Sequence, residues 1–313
     1  MQRVIELRVK IPEIVLTYWF PDKQDALSFP LDKIKGTITL NLAPESVKVL
    51  DCEIDDDGEQ YPISYGCNSI LVRIEGQMSE DKTEREFLNE ICRLAVEYVN
   101  RLLSFFRNEM GQYWINLLHI HEHGLSWFLR ESDAKWVDEI GTTRATIGGI
   151  MVPPGCEQAD FFYRHVRERE SEIDERKWER IRDFIQRGGS SDLAKSLIVN
   201  AEQYLAYSDP RMAIVEVQTA FEVFVHRLVK EYYQKKGKTQ PNLEECGFKN
   251  ILRDHLSKRV RQFERGVTQY DEWEAKVYRP RCDIVHIGRR VSPEEASEAI
   301  SSVKAAIVYL YGD

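Results

Sequence analysis

Between residues 3 and 11 the apolar positions Val4, Leu7, Val9 and Ile11 are set among Arg3, Glu6, Arg8 and Lys10, and this near-alternation predicts a β-strand. The same period-two pattern returns at residues 37–42, 47–54 and 69–74, between turns rich in Pro, Gly and Asp. The first quarter of the chain is therefore expected to be strand-rich. Over residues 81–109 the period changes: Phe87, Ile91, Leu94, Ala95, Tyr98, Leu102 and Phe105 recur at steps of three and four, the spacing of an amphipathic helix. Residues 113–121 and 143–152 read as further strands, and Pro153-Pro154-Gly155 marks a boundary. Residues 1–152 are thus expected to form an α+β recognition or sensor domain.

Residues 164–187 interleave acids and bases, including Arg164, Arg167, Glu168, Arg176 and Lys177, which predicts a charged helix bridging the two halves within a 153–187 linker. After Gly188-Gly189 the helical period dominates. Stretches 191–207, 210–235, 243–265 and 292–311 each carry it, broken at Ser208-Asp209-Pro210, at residues 237–242 and at Gly288. Ser292-Pro293-Glu294-Glu295 opens the last helix with a serine cap, a proline at the first helical position and a glutamate at the third. The fold class expected overall is α+β, with an all-α antiparallel bundle over residues 188–313.

The length of 313 residues suits two domains, and 42% hydrophobic residues suffice for two cores. The net charge of −9 argues against a surface that grips polyanions everywhere, so any nucleic-acid site has to be local. No apolar run reaches membrane-spanning length, and the charged alternation at the start is unlike a signal peptide. A cytoplasmic protein without a membrane partner is expected. The six cysteines form no Cys-x-x-Cys pair, and the common nucleotide-binding, hydrolase and zinc-protease signatures are missing. No metal or cofactor is expected.

One segment concentrates candidate chemistry. Residues 278–288, Tyr-Arg-Pro-Arg-Cys-Asp-Ile-Val-His-Ile-Gly, place Arg281 and His286 with four residues between them, and Arg289 and Arg290 just beyond. An Arg-x4-His late in a helical C-terminal domain, behind a long helix with Ala220-Phe221-Glu222 at its centre, resembles the HEPN superfamily, especially stand-alone prokaryotic defence and abortive-infection proteins. The resemblance covers residues 178–313. Cys282 follows the arginine where the family more often has a polar residue, with Asp283 one place on. The resemblance implies a HEPN-like bundle and a metal-independent endoribonuclease. It further implies that the protein acts as a homodimer through the helical domain, with two Arg–His pairs facing one RNA phosphate. It also implies a toxin-like role in antiviral defence, with a phage-derived or defence-system protein met by the N-terminal domain.

The residue types fit that chemistry on their own terms. Metal-free RNA cleavage needs a group that moves protons at the ribose 2′-OH and the leaving 5′-oxygen, and a fixed cation for the growing phosphate charge. Histidine exchanges protons near neutrality, and arginine presents a planar fork matched to phosphate oxygens. Cleavage would leave a 2′,3′-cyclic phosphate and a 5′-OH. Five positions along a straight helix turn through about 140°, so a bend is expected, with Pro280 starting or kinking the helix and Gly288 ending it. Two basic strips, residues 249–265 and 276–290, suit tRNA or single-stranded RNA. From them Lys276, Arg279, Arg289, Arg290, Arg259 and Arg261 are the expected RNA contacts. Glu222 and Asp283 are expected to support Arg281 and His286.

Plainer readings stand beside these. In one, Arg281 pairs structurally with Glu222 or Glu216 and His286 caps a helix, leaving a non-catalytic module that binds RNA, a nucleotide or a protein and dimerises. Tyr270 and Tyr278 are better core residues than base-stacking platforms. His119, His121 and His123 would share one face of a strand, where a metal-dependent hydrolase would need them. Asp55-Asp56-Asp57-Gly58 is too short a match to a calcium loop and reads as an acidic turn.

Overall fold

The computed structural model describes residues 2–17, 26–43, 47–54, 60–77, 79–118, 142–147, 175–189, 191–239 and 242–312. The chain divides into two compact units, Met1–Ser190 and Ser191–Asp313, and the fold class is α+β.

Among the described residues the first unit is built on six strands: β1 (Gln2–Thr17), β2 (Leu27–Leu31), β3 (Gly36–Leu42), β4 (Val47–Ile54), β5 (Gln60–Gln77) and β6 (Thr142–Ile147). The sheet runs β2-β3-β5-β1-β6, and β4 pairs with the early part of β5. All pairings are antiparallel except β1 with β6, which is parallel. Alternation sends Ile5, Leu7, Val9 and Ile11 of β1 and Ile70, Val72 and Ile74 of β5 into one core. Helix α1 (Glu84–Asn108) closes over this core with Phe87, Ile91, Ala95 and Leu102, and starts from a reciprocal Thr83–Glu86 capping box. Gly36 is obligatory where β3 meets β5, because a Cβ there would lie 1.8 Å from the Glu75 carbonyl oxygen.

Three features of this unit depart from the sequence expectation. Strand β2 carries Pro30 and was not anticipated; it lies on the sheet edge, where a missing N–H is tolerated. Residues 113–118 form no strand. Their backbone is satisfied from α1 instead: the Arg107 guanidinium donates to the carbonyls of Tyr113 and Ile115, and the Asn100 amide exchanges two 2.7 Å bonds with Leu118. The charged helix expected as a bridge is, in its described part α2 (Glu175–Gln186), a member of the first unit. Trp178, Ile181 and Ile185 enter its core, and Phe184 meets Phe105 edge-on at 5.2 Å. Its charges occupy the outer face, which made the helix look solvated.

The second unit has helices and no strand among its described residues: its longer α-helices are α3 (Leu193–Ala206), α4 (Pro210–Lys235), α5 (Thr268–Trp273), α6 (Arg279–Ile287) and α7 (Pro293–Tyr311). Helix α4 is the central rod. It starts with Pro210 behind an Asp209 cap and buries Ala213, Val217, Phe221, Phe224 and Val229. Phe221 is ringed by Phe248, Phe263 and Trp273 at centroid distances of 5.5–5.9 Å. The single helix expected over 243–265 is instead a short turn, Leu243–Glu245, then Phe248–Asn250 leading into a π-helical stretch, Ile251–Ser257. Beyond it the chain is irregular, and the Ser257 hydroxyl both donates to the Phe263 carbonyl (2.7 Å) and accepts from its N–H (3.0 Å).

Two substitutions on α2 test its membership of the first core. Ile181→Ala should cost about 2–5 kcal/mol, whereas exposed Glu179→Ala should stay within about 0.5 kcal/mol. Equilibrium denaturation that finds both neutral would return α2 to solvent.

Candidate active site

The motif sits on the last third of a continuous helical run. Helix α5 passes into a π-helical turn, Glu274–Tyr278, and directly on into α6. Pro280 neither starts nor breaks the run; it is buried inside it. A proline cannot donate to the carbonyl four residues back, and its ring crowds that carbonyl. The π turn relieves the conflict just ahead of it, with the Arg279 N–H bonding the Glu274 carbonyl, a step of five residues. The run ends at Gly288, which takes the left-handed conformation at φ 69°. Gly288 N–H bonds the Ile284 carbonyl and Arg289 N–H the Asp283 carbonyl, so the glycine stop expected from the sequence is present.

The irregularity precedes both motif residues, so the helix between them is regular. Arg281 and His286 therefore point about 140° apart, roughly 7.5 Å along the axis. No bend brings the pair onto one face. Arg281 is half-buried and His286 exposed, and among the described residues neither makes a hydrogen bond or ion pair. His286 lies in the last turn, between Val285 (51% exposed) and Ile287 (77%).

The expected supporting acids are engaged elsewhere. Glu222 accepts from the Gln218 amide at 2.9 Å and lines a groove along α4 with His226 and Lys230. Gln218 accepts in turn from the Trp273 indole N–H at 2.9 Å. Glu216 accepts from Asn200. Asp283 faces Arg289 at 3.6 Å, and Arg289 also holds Glu295, whose carboxylate closes the Ser292 capping box. Neither Glu222 nor Asp283 makes a hydrogen bond or ion pair with Arg281.

The six expected RNA contacts divide into two groups. Lys276 pairs with Glu298 (3.5 Å), Arg279 with Glu274 (3.3 Å) and Arg289 with two acids. Arg290, Arg259 and Arg261 have no carboxylate partner among the described residues. Arg259 and Arg261 lie over the rings of Tyr233 (5.7 Å) and Tyr309 (4.4 Å), in the irregular segment after the π stretch rather than on a helix face. Tyr270 and Tyr278 pack on Trp273 at 5.5 and 5.2 Å, in keeping with the core reading.

Glu274, ahead of the motif on the same helical run, is a buried acid that spacing did not reveal. Its buried carboxylate accepts from Lys249 Nζ (2.6 Å) and Arg279 Nη2 (3.3 Å). The Lys249 ammonium also stands 4.4 Å over the Tyr278 ring. The hydrogen bond from Lys249, helped by Arg279, holds the Glu274 carboxyl below the usual carboxylate range against the cost of burial. Lys249 and Glu274 are 25 residues apart, so no helical period pairs them. Gln218 had a readable signal: a polar residue between Val217 and Phe221 on an otherwise apolar stripe.

His119, His121, His123 and residues 55–58 lie outside the described residues; among the described residues no group of three His, Cys, Asp or Glu side chains converges as metal ligands. Among the described residues no helix is long and apolar enough to cross a membrane. Comparison of the chain with protein-family models, curated proteins and solved structures returns no match in any of the three.

A depressed carboxyl adds stability above its unfolded-state value and loses it as pH falls through the folded one. Glu274→Gln should therefore melt below wild type near about pH 7, and the gap should close toward about pH 3. Parallel melting profiles at all pH values would show that the carboxylate charge carries no stability.

Proposed function

We propose that the chain is a HEPN-type, metal-independent endoribonuclease that works as a homodimer through its helical unit. The observation supporting this most directly is the state of the motif: among the described residues Arg281 and His286 have no hydrogen-bond or ion-pair partner, while Lys249, Lys276, Arg279 and Arg289 are neutralised by acids. A half-buried arginine held for structure would be expected to have a partner. The divergence of about 140° within one α6 favours a composite site, in which two copies of α6 meet and each supplies groups to one phosphate. Val285 and Ile287 beside His286 give that meeting an apolar surface to bury.

In such a site one His286 takes the proton of the ribose 2′-OH as that oxygen attacks phosphorus. The bond from phosphorus to the 5′-oxygen breaks, and the protonated His286 of the second copy supplies the proton to the leaving oxygen. Arg281 binds the non-bridging oxygens as their charge grows. The products are a 2′,3′-cyclic phosphate and a 5′-OH. Of the expected contacts, Arg290, Arg259 and Arg261 have no carboxylate partner among the described residues and would hold RNA outside the reacting phosphate. The defence role, a phage-derived partner at the first unit and a cytoplasmic location rest on the family resemblance and the sequence.

The same unpartnered residues also suit a non-catalytic dimerisation and binding module, and one assay separates the readings. Full-length protein is incubated with labelled tRNA and single-stranded RNA in EDTA. We expect cleavage to persist under chelation, to yield cyclic-phosphate ends, and to fall by about 10²–10⁴ in Arg281→Ala and in His286→Ala. Cleavage that both variants retain, or that chelation abolishes, rules out this chemistry. RNA binding without cleavage establishes the module.

A further inference from the structure

The Lys249–Glu274–Arg279 cluster lies outside the motif, and nothing in the proposed chemistry uses it. Its geometry is tied to the π turn. Residues five apart on an α-helix diverge by about 140°, so Glu274 and Arg279 could not pair across a regular helix. They do pair, at 3.3 Å, over the same five-residue step as the backbone bond from the Arg279 N–H to the Glu274 carbonyl. The ion pair thus exists only while the π turn does. The second arm, Lys249, comes from the turn that leads into the other π-helical stretch, Ile251–Ser257. It ties that segment to Glu274 by a 2.6 Å bond and to Tyr278 by its ring face.

A π turn is an α-helix with one residue inserted, so forming or losing it rotates everything downstream by about 100°. What lies downstream is α6, carrying Arg281 and His286. We infer that Glu274 is a positioning residue: clamped between Lys249 and Arg279, it holds the π turn and so sets the rotational phase at which α6 presents Arg281 and His286. This rests on the ribonuclease reading only for its consequence in catalysis; the setting of phase stands on the geometry. The carboxylate is buried while both cations keep their outer sides in solvent, so the clamp acts by holding one buried group from two segments. π turns inside α-helices recur at functional sites because they displace side chains that a regular helix would hold elsewhere.

Cys282, next to Arg281 and half-buried, is a built-in reporter of that phase. The test is Glu274→Gln in the full-length protein, which keeps the shape and removes the charge. Its readouts are peptide-resolved alkylation of Cys282 by iodoacetamide and steady-state cleavage of single-stranded RNA. We expect the Cys282 rate to change by about threefold or more at a temperature well below melting. We expect kcat to fall by about tenfold or more with KM nearly constant, since the RNA-holding cations elsewhere are untouched. Glu274→Asp, which retains the charge, should recover part of both. If Glu274→Gln does not fold, Arg279→Gln, which removes only the five-residue pair at an exposed side chain, should give the same change in Cys282 alkylation. A Cys282 rate equal to wild type in a folded variant overturns the inference, whatever happens to cleavage. Wild-type protein that cleaves nothing defeats the ribonuclease reading alone, and the alkylation rate then decides the phase-setting role by itself.

Discussion

Pro280 has no N–H to give, yet it lies in the middle of the helix on which the second unit's candidate chemistry sits. Most helices meet such a residue by kinking or stopping. Here the run from Thr268 to Ile287 widens for one turn and continues. From that accommodation follow the five-residue backbone bond, the Glu274–Arg279 ion pair and the azimuth of every side chain beyond it. Lys249 joins the same carboxylate from another segment, so the widened turn is fixed from two directions. The site depends on one imino acid and on the polar groups that hold the chain around it.

The core beneath is correspondingly aromatic and carries its own polar thread. Phe221, Phe248, Phe263, Tyr270, Trp273 and Tyr278 interlock at centroid distances that favour edge and tilted contacts. An indole N–H buried in such a cluster needs an acceptor, and Gln218 provides one while passing its own amide hydrogen to Glu222. The hydrogen bond fixes Trp273 at the position from which the π turn departs. Order thus passes from α4 to the motif helix through a directed bond as well as through packing.

Elements governed by local pattern were legible in the chain: β3, β4, α1, α3, α4 and α7 lie where period and capping put them, while β1 and β5 were found only in part, their strands running on to Thr17 and back to Gln60. The misses have one cause, competition from partners distant in sequence. Pro30 hid β2 because only an edge position makes it tolerable. Residues 113–118 alternate like a strand, but Arg107 and Asn100 reached their backbone first. The charges of α2 masked three inward apolar residues. For the candidate site, the residue types and Gly288 were readable, whereas the pairing of Lys249 with Glu274 was not. The basic strips looked uniform as sequence, because a list of cations does not show which of them already hold acids.

Among the described strands β1 precedes both of its neighbours in the chain, and its outer edge is paired with β6, which lies beyond α1. Until Thr142–Ile147 arrives, a long strand with Ile5, Leu7, Val9 and Ile11 on one side keeps an open hydrogen-bonding edge, a template for pairing with other chains. The residues between them are Glu6, Arg8 and Lys10, which no stranger's apolar strand can lie against without burying a charge. The outward positions of β1 therefore serve the nascent chain before they serve the finished sheet.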